Sequence, residues 1–219
     1  CSSDLRALIE LAEASTVPVS VHLDHAESTD LCREAVELGF TSIMYDGSKL
    51  PDAQNRETTA EITAFAHEHG VSVEAELGEV GGKNGVHDPS ARTNPEDAAQ
   101  FVADTGVDLL AVAVGSSHAM ATREAVLDNQ LIAAIHDLVP VPLVLHGSSG
   151  VPDEGMVAAI QAGMTKINVS THLNVVFTQG VRQILDENPK IVDPRKYVGP
   201  ATHLVQEEVE RLMRLYAQA

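Results

Sequence analysis

Six short runs rich in Val, Ile and Leu recur along the chain, at Val17 to Leu23, Thr41 to Tyr45, Val71 to Leu77, Leu109 to Val114, Pro142 to Leu145 and Ile167 to Val169. Helix-patterned stretches separate and follow them: Ser28 to Leu38, Ala53 to His69, Pro95 to Thr105, Asn129 to Leu138, Asp153 to Ala162 and His172 to Leu185. Apolar strands joined by crossover helices require a parallel sheet with its faces covered, because a parallel pair cannot be closed by a tight turn. The choices are an open doubly wound sheet or a closed (β/α)8 TIM barrel. Polar residues gather just past the strand ends and the last two strands carry a phosphate-type loop pair, which favours the barrel. A barrel has eight strands, and two more βα units of roughly 30 residues each would bring the chain to barrel length. The expectation is therefore an α/β fold of the TIM-barrel type with its first two strands missing from this sequence, and residues 1–219 as a single, N-terminally incomplete domain. The opening Cys1-Ser2-Ser3-Asp4 has no initiator Met, and the helical pattern Leu5, Leu8, Ile9, Ala12 follows at once, so a fragment is expected. A mature lipoprotein also begins with Cys, but no linker separates Cys1 from the fold. Asp193-Pro194-Arg195-Lys196 breaks the pattern before a closing helix from His203 to Tyr216.

Charge narrows the function. Among 219 residues, 14 Lys and Arg face 32 Asp and Glu, and the net charge of −18 disfavours nucleic acid and anionic membranes as partners. An anionic substrate would need a locally positive pocket. The two cysteines, Cys1 and Cys32, form no CxxC pair, and no apolar run approaches a membrane span, so a reducing, cytoplasmic setting is expected.

The chemistry-bearing residues lie where strands end. The first strand ends in His22-Leu23-Asp24-His25, the fourth in Val114-Gly115-Ser116-Ser117-His118, and the fifth in Leu145-His146-Gly147. Alternation sends His22 and Asp24 to one face while His25 begins the turn. Three imidazoles on one rim, His25, His118 and His146, leave an open coordination position, as a catalytic zinc site does. His67, His69 and His136 lie on helices or helix ends and read as solvated. Asp24, Asp46, Glu74 and Glu76 surround the rim, where a carboxylate needs a cation or a hydrogen-bond donor, and Glu74 and Glu76 share one strand face. The loop His146-Gly147-Ser148-Ser149-Gly150, with Asn168, Ser170 and Thr171 at the next helix start, offers N–H and hydroxyl groups to a phosphate.

The segments VPVSVHLDH, GFTSIMYDGSKLP, GVSVEAELGEVGG, TGVDLLAVAVGSSH, VPLVLHGSSGVP, KINVST and DPRKYVGPA closely resemble class II ketose-bisphosphate aldolases, over nearly the whole chain and in one order. The resemblance implies a (β/α)8 barrel, a homodimer or homotetramer, and Zn2+, or another divalent metal, with a monovalent cation as a further expected ligand. It implies reversible cleavage of a ketose 1,6-bisphosphate, a small-molecule sugar phosphate, to dihydroxyacetone phosphate and glyceraldehyde 3-phosphate. Carried over position by position, the metal ligands fall on His25, His118 and His146, the catalytic acid/base on Asp24, and the metal-proximal carboxylates on Asp46 and Glu76. Phosphate and substrate contacts fall on Gly147, Ser149, Asn168, Ser170 and Thr171. Ser170 stands where fructose-type members often carry Asp, so the chain looks more like the tagatose-type branch.

The chain departs from the family pattern after Gly81-Gly82, where Lys83-Asn84 replaces the usual acidic residues; Glu79, His87 and Asp88 are the substitutes to consider. Ala119 replaces the glycine that usually follows the second histidine ligand. An aldolase for a related ketose 1-phosphate, of the 6-sulfofructose or deoxy-keto sugar acid type, is the alternative within the class. A Schiff-base aldolase would need a reactive lysine, for which Lys166 is the candidate. A sugar-phosphate-binding relative without turnover is the non-enzyme alternative. Arg56, Lys83, Arg195 and Lys196 are candidates for the distal anion or solvated surface charges.

Overall fold

The computed structural model describes residues 2–77, 92–117, 120 and 122–219. Six strands form one sheet in sequence order, every neighbouring pair parallel: β1 His22–Ala26, β2 Ser42–Tyr45, β3 Ser72–Glu76, β4 Leu109–Ala111, β5 Leu143–Leu145 and β6 Met164–Ile167. Helix α1 (Ser2–Glu13) precedes β1, and α2 (Thr29–Glu37), α3 (Asp52–Glu68), α4 (Pro95–Thr105), α5 (Asn129–Leu138) and α6 (Asp153–Gln161) connect successive strands. Helices α7 (Thr171–Glu187) and α8 (Arg195–Tyr216) close the order. Three of the helices begin at side-chain caps: Ser28, Asn94 and Asp128 each accept a backbone N–H from the first turn of α2, α4 and α5, and Pro95 occupies the first turn of α4.

Strand alternation sorts side chains onto two faces. Ile43, Val73, Ala75, Leu110, Leu143 and Leu145 point outward and are buried with Ile62, Phe101, Ile132 and Ile135 of the covering helices. Met44, Ala111 and Val144 form a small separate cluster on the inner face. Glu74 and Glu76 are also fully buried. In a flat sheet β1 and β6 would stand about 24 Å apart, five gaps of about 4.8 Å. Yet Lys166 Nζ of β6 lies 3.4 Å from His22 Nε2 of β1, and also pairs with Glu74 of β3. The sheet is therefore strongly curled, a six-stranded parallel half-barrel, and its concave interior is polar where these three residues meet.

Several boundaries differ from the sequence reading; β4, for one, stops at Ala111 rather than Val114. The first strand is His22–Ala26 rather than Val17 to Leu23, because Val17 and Val19 are exposed and Pro18 brings no ladder donor. The last strand is Met164–Ile167 rather than Ile167 to Val169; the buried Met164 pairs with Leu143, and the polar Thr165 and Lys166 hid this strand from a hydrophobicity reading. The closing helix begins at Arg195 rather than His203, and Pro200 lies inside it, in the second turn.

Candidate active site

The strand ends of β1, β5 and β6 enclose a cleft of about 640 Å³ lined by His22, Asp24, His25, His146, Gly147, Ser149, Lys166, Asn168, Val169, Ser170 and Thr171. Most of the site residues expected from sequence thus converge. Asp46 and Glu76 stand behind the cleft, buried, with ligand-type atoms within 4.8 Å of those of His25. His118 and Ala119 lie outside the described residues, as do Glu79, Lys83, Asn84, His87 and Asp88.

His25 is presented by an unusual backbone. The β1–β2 register shifts between Leu23 and Ala26, and His25 has φ of 49° in the left-handed region that non-glycine residues rarely occupy. The bulge turns its imidazole toward β5. Holding a histidine there costs on the order of 1 kcal/mol or more, typical of residues held for a function. Its Nδ1 lies 2.7 Å from Asp46 Oδ2, and Asp46 Oδ1 accepts from the Ser48 N–H and hydroxyl. His25 Nε2 then faces His146 Nδ1 at 2.9 Å.

His146, 1% exposed, is held in the mirror sense. Its Nε2 lies 2.8 Å from Glu74 Oε1, its carbonyl accepts from the Ser116 hydroxyl at 2.6 Å, and Asn168 Nδ2 lies 3.5 Å from the same Nε2. Burial alone would raise the Glu74 carboxyl, but the His146 hydrogen bond and the Lys166 charge outweigh it and hold the carboxyl below its ordinary range. His22, between Lys166 and Ser42 Oγ, is pushed down, first by burial and then by the Lys166 charge.

These contacts prepare the two imidazoles for a shared cation. Asp46 and Glu74 each take an N–H from the outer nitrogen of an imidazole, which fixes the tautomers and leaves lone pairs on His25 Nε2 and His146 Nδ1. Two lone pairs at 2.9 Å repel unless a proton or a cation is shared between them. With Asp24 close by, the ligand atoms of Asp24, His25 and His146 all lie within 4.8 Å of one another. Imidazole nitrogens with a carboxylate close by suit a divalent metal ion. Asp24 itself is about half exposed, its side chain reaching the cleft mouth 3.8 Å from His22 Nε2.

On the other side of the cleft, Gly147 precedes a 3₁₀ turn, Ser148–Gly150, and α7 begins at Thr171 with no side-chain cap from Ser170. Gly147 has φ of 69°, and a Cβ there would lie 2.5 Å from the Ser117 carbonyl oxygen. Only glycine fits. Ser148 donates its hydroxyl to the Asn168 carbonyl and His172 N–H donates to Ser149 Oγ at 3.1 Å, so the two loops are stitched together. Among the described residues Lys166 is the single Lys or Arg lining the cleft, and it pairs with Glu74. A nucleophilic Schiff-base amine is not what this pairing prepares. The cleft can receive an anion through N–H groups, hydroxyls and a helix start.

Sequence reading missed the wiring behind the ligands. Glu74 as the partner of His146, Asp46 as the partner of His25, and Lys166 as the counter-charge of Glu74 needed the fold, since they join β1, β2, β3, β5 and β6. The signal available was a buried-strand carboxylate at each position. Of the distal-anion candidates, Arg56 pairs with Asp52 and Asp104 on the outer helices and Arg195 pairs with Asp193, so both are surface charges away from the cleft.

The parallel half-barrel thus brings paired imidazoles and a glycine-serine loop pair to one cleft. Residues 3–219 match the family model described as fructose-bisphosphate aldolase class-II. A fructose-bisphosphate aldolase from Geobacillus stearothermophilus is 41% identical over 206 residues, 93% of this chain and 72% of the relative. A fructose-bisphosphate aldolase from Staphylococcus aureus strain Mu50 is 42% identical over 197 residues, covering 89% of this chain and 69% of the relative. The crystal structure of the YdjI aldolase from Escherichia coli K12 superposes with a TM-score of 0.84 at 33% identity, covering 98% of this chain and 75% of that one. The chain belongs to the class II fructose-bisphosphate aldolase family, a family of carbon–carbon lyases.

Proposed function

We propose that the protein reversibly cleaves a ketose 1,6-bisphosphate, of fructose or tagatose type, to dihydroxyacetone phosphate and glyceraldehyde 3-phosphate. The observation that carries this reading is the pair of facing nitrogens, His25 Nε2 and His146 Nδ1, 2.9 Å apart with their outer nitrogens tied to Asp46 and Glu74. His25 and His146 would hold a divalent metal, zinc by the donor set, with His118 as the third ligand by family likeness. When bound, such a metal supplies Lewis-acid stabilisation of negative charge at the ketose carbonyl.

The chain's own residues do the rest. Asp24 removes the C4 hydroxyl proton; the C3–C4 bond breaks, C4 becomes the aldehyde carbonyl, and the electron pair left on C3 takes up a proton to complete dihydroxyacetone phosphate while Asp24 returns its own proton to solvent. General-base assistance of this kind is worth roughly 10² to 10⁴ in rate. Gly147, Ser149, Asn168, Ser170 and Thr171 hold the phosphate beside C1, and its charge is met by N–H groups, hydroxyls and the start of α7. Asp46 fixes the tautomer of His25, and Glu76 keeps a second carboxylate near it.

Three further parts belong to the reading. The six strands correspond to six of the eight strands of a (β/α)8 barrel forming one domain, supported by the curl of the sheet and by the superposition on an aldolase of which this chain covers 75%. Family likeness supports a homodimer or homotetramer. Among the described residues no helix is long and apolar enough to cross a membrane, and the absence of a CxxC pair supports a cytoplasmic setting. The test is chelation of the full-length protein followed by zinc add-back, with cleavage of fructose 1,6-bisphosphate, tagatose 1,6-bisphosphate and 6-deoxy-6-sulfofructose 1-phosphate measured side by side. Loss and recovery of bisphosphate cleavage is expected; activity that survives thorough metal removal sinks the reading.

A further inference from the structure

A circuit of charge-assisted contacts leaves the anion loop at Ser149 and returns to it at Val151. His172, whose N–H donates to Ser149 Oγ at 3.1 Å, sends its Nε2 to Glu208 Oε1 of α8 at 2.6 Å. Glu208 accepts two bonds from Arg211, at 2.9 and 2.8 Å. Arg211 Nη1 donates to Asp153 Oδ2 at 2.6 Å, at the start of α6, and Asp153 Oδ1 accepts from Arg123 at 2.5 Å. Arg123 then donates twice to the Val151 carbonyl, at 3.1 and 2.8 Å. Five side chains from four parts of the fold thus link the two ends of a three-residue segment, which the His172 backbone N–H meets at Ser149 and the Arg123 guanidinium at Val151.

We propose that Glu208 and Arg211 are positioning residues for the substrate phosphate, holding the 3₁₀ turn and the start of α7 at a fixed separation. The inference rests on the reading of the cleft as a sugar-phosphate site. Its chemistry is local. Because Ser149 Oγ accepts the His172 N–H, its hydroxyl proton is directed elsewhere, and Ser149 lines the cleft, where a phosphate oxygen can accept it. That arrangement holds only while α7 keeps its place against the loop. His172 at the second position of α7 is the link to α8, and Glu208 is its anchor. The Glu208 carboxyl is held down to about 2, chiefly by Arg211, so it remains an anion throughout the working range. Neither residue touches the cleft, and the remote pairs act through geometry, where small displacements have large effects on binding.

The test uses full-length, zinc-loaded protein and two readouts: steady-state cleavage of the bisphosphate, and inorganic phosphate binding followed by phosphorus NMR titration. Glu208→Ala is expected to raise KM and weaken phosphate binding about tenfold, with kcat within about threefold and zinc content unchanged. Glu208→Gln retains an acceptor for His172 and is expected to recover about half of that loss on a logarithmic scale. Arg211→Met cuts the circuit one link further out and gives the same split if the first variant accumulates poorly. Glu210→Ala removes the Arg214 pair on the same helix, outside the circuit, and should leave both readouts unchanged. Wild-type KM and phosphate affinity in Glu208→Ala and Arg211→Met would overturn the inference, as would kcat and KM failing together with the melting temperature. Ser149→Ala separates this from the reading beneath it. If that variant binds phosphate normally, the cleft reading fails; if it weakens binding while the α8 variants do not, the inference alone fails.

Discussion

Replacing Glu74 with Gln changes almost nothing in volume and removes one charge from the interior of the half-barrel. Glu74 is 0% exposed and accepts from His146 Nε2 at 2.8 Å on one oxygen and from Lys166 on the other. A glutamine has a single acceptor oxygen for these two donors. If that oxygen faces His146, the amide NH2 opposes the Lys166 ammonium. If the amide is reversed, its N–H donates to His146 Nε2, the imidazole proton moves to Nδ1, and the nitrogen that faces His25 loses its lone pair. Removing one partner of a fully buried ion pair costs about 3–5 kcal/mol. Lys166 is 30% exposed and can rehydrate, so about 2–3 kcal/mol is expected here. Loss of a hydrogen bond that orients a metal ligand lowers metal affinity about 10- to 100-fold. Urea denaturation of the metal-free protein reads the first figure, and zinc competition with a chromophoric chelator reads the second. Wild-type stability and wild-type zinc affinity together in Glu74→Gln would refute the reasoning, because either orientation of the amide must forfeit one of the two contacts.

Other outcomes follow from the same geometry. Asp24→Asn should lower kcat about 10²- to 10⁴-fold while zinc content stays at the wild-type level, measured by atomic emission beside the cleavage assay. Gly147→Ala places a Cβ 2.5 Å from the Ser117 carbonyl oxygen at φ of 69° and should destabilise the protein by about 2 kcal/mol or more in urea melts, with phosphate affinity falling alongside. Glu208 is depressed from its ordinary 4.5 to about 2 by Arg211, then opposed by burial. A depressed carboxyl contributes stability that is present above the unfolded value and lost as pH falls through the folded one. Wild type minus Glu208→Ala in unfolding free energy should therefore be flat above pH 4.5 and shrink between 4.5 and about 2. A difference that does not change across that window would contradict the assignment.

The parallel βα order was legible because hydrophobic runs and helical periodicity alternate without interruption, and every strand found in the structure overlaps an expected one. The errors fell where local pattern and tertiary contact disagree. Val17 and Val19 look like strand but are exposed, whereas Thr165 and Lys166 look like loop but belong to β6, since Lys166 turns into a polar interior that hydrophobicity cannot signal. Among site residues, the strand-end histidines and the glycine-serine loop were legible as types. The positive φ of His25 and the roles of Asp46, Glu74 and Lys166 depend on which strands meet across the curl. The α8 circuit was invisible in sequence, because Glu208 and Arg211 read as an ordinary helix-surface pair one turn apart.

Anomalous diffraction from zinc-loaded crystals of the full-length protein, collected on both sides of the zinc absorption edge, tests the paired-imidazole site directly. A zinc-specific peak in contact with both His25 Nε2 and His146 Nδ1, lost in His146→Ala, is expected. A peak that touches neither nitrogen, or the absence of any zinc-specific peak in protein that cleaves bisphosphate, would contradict that site.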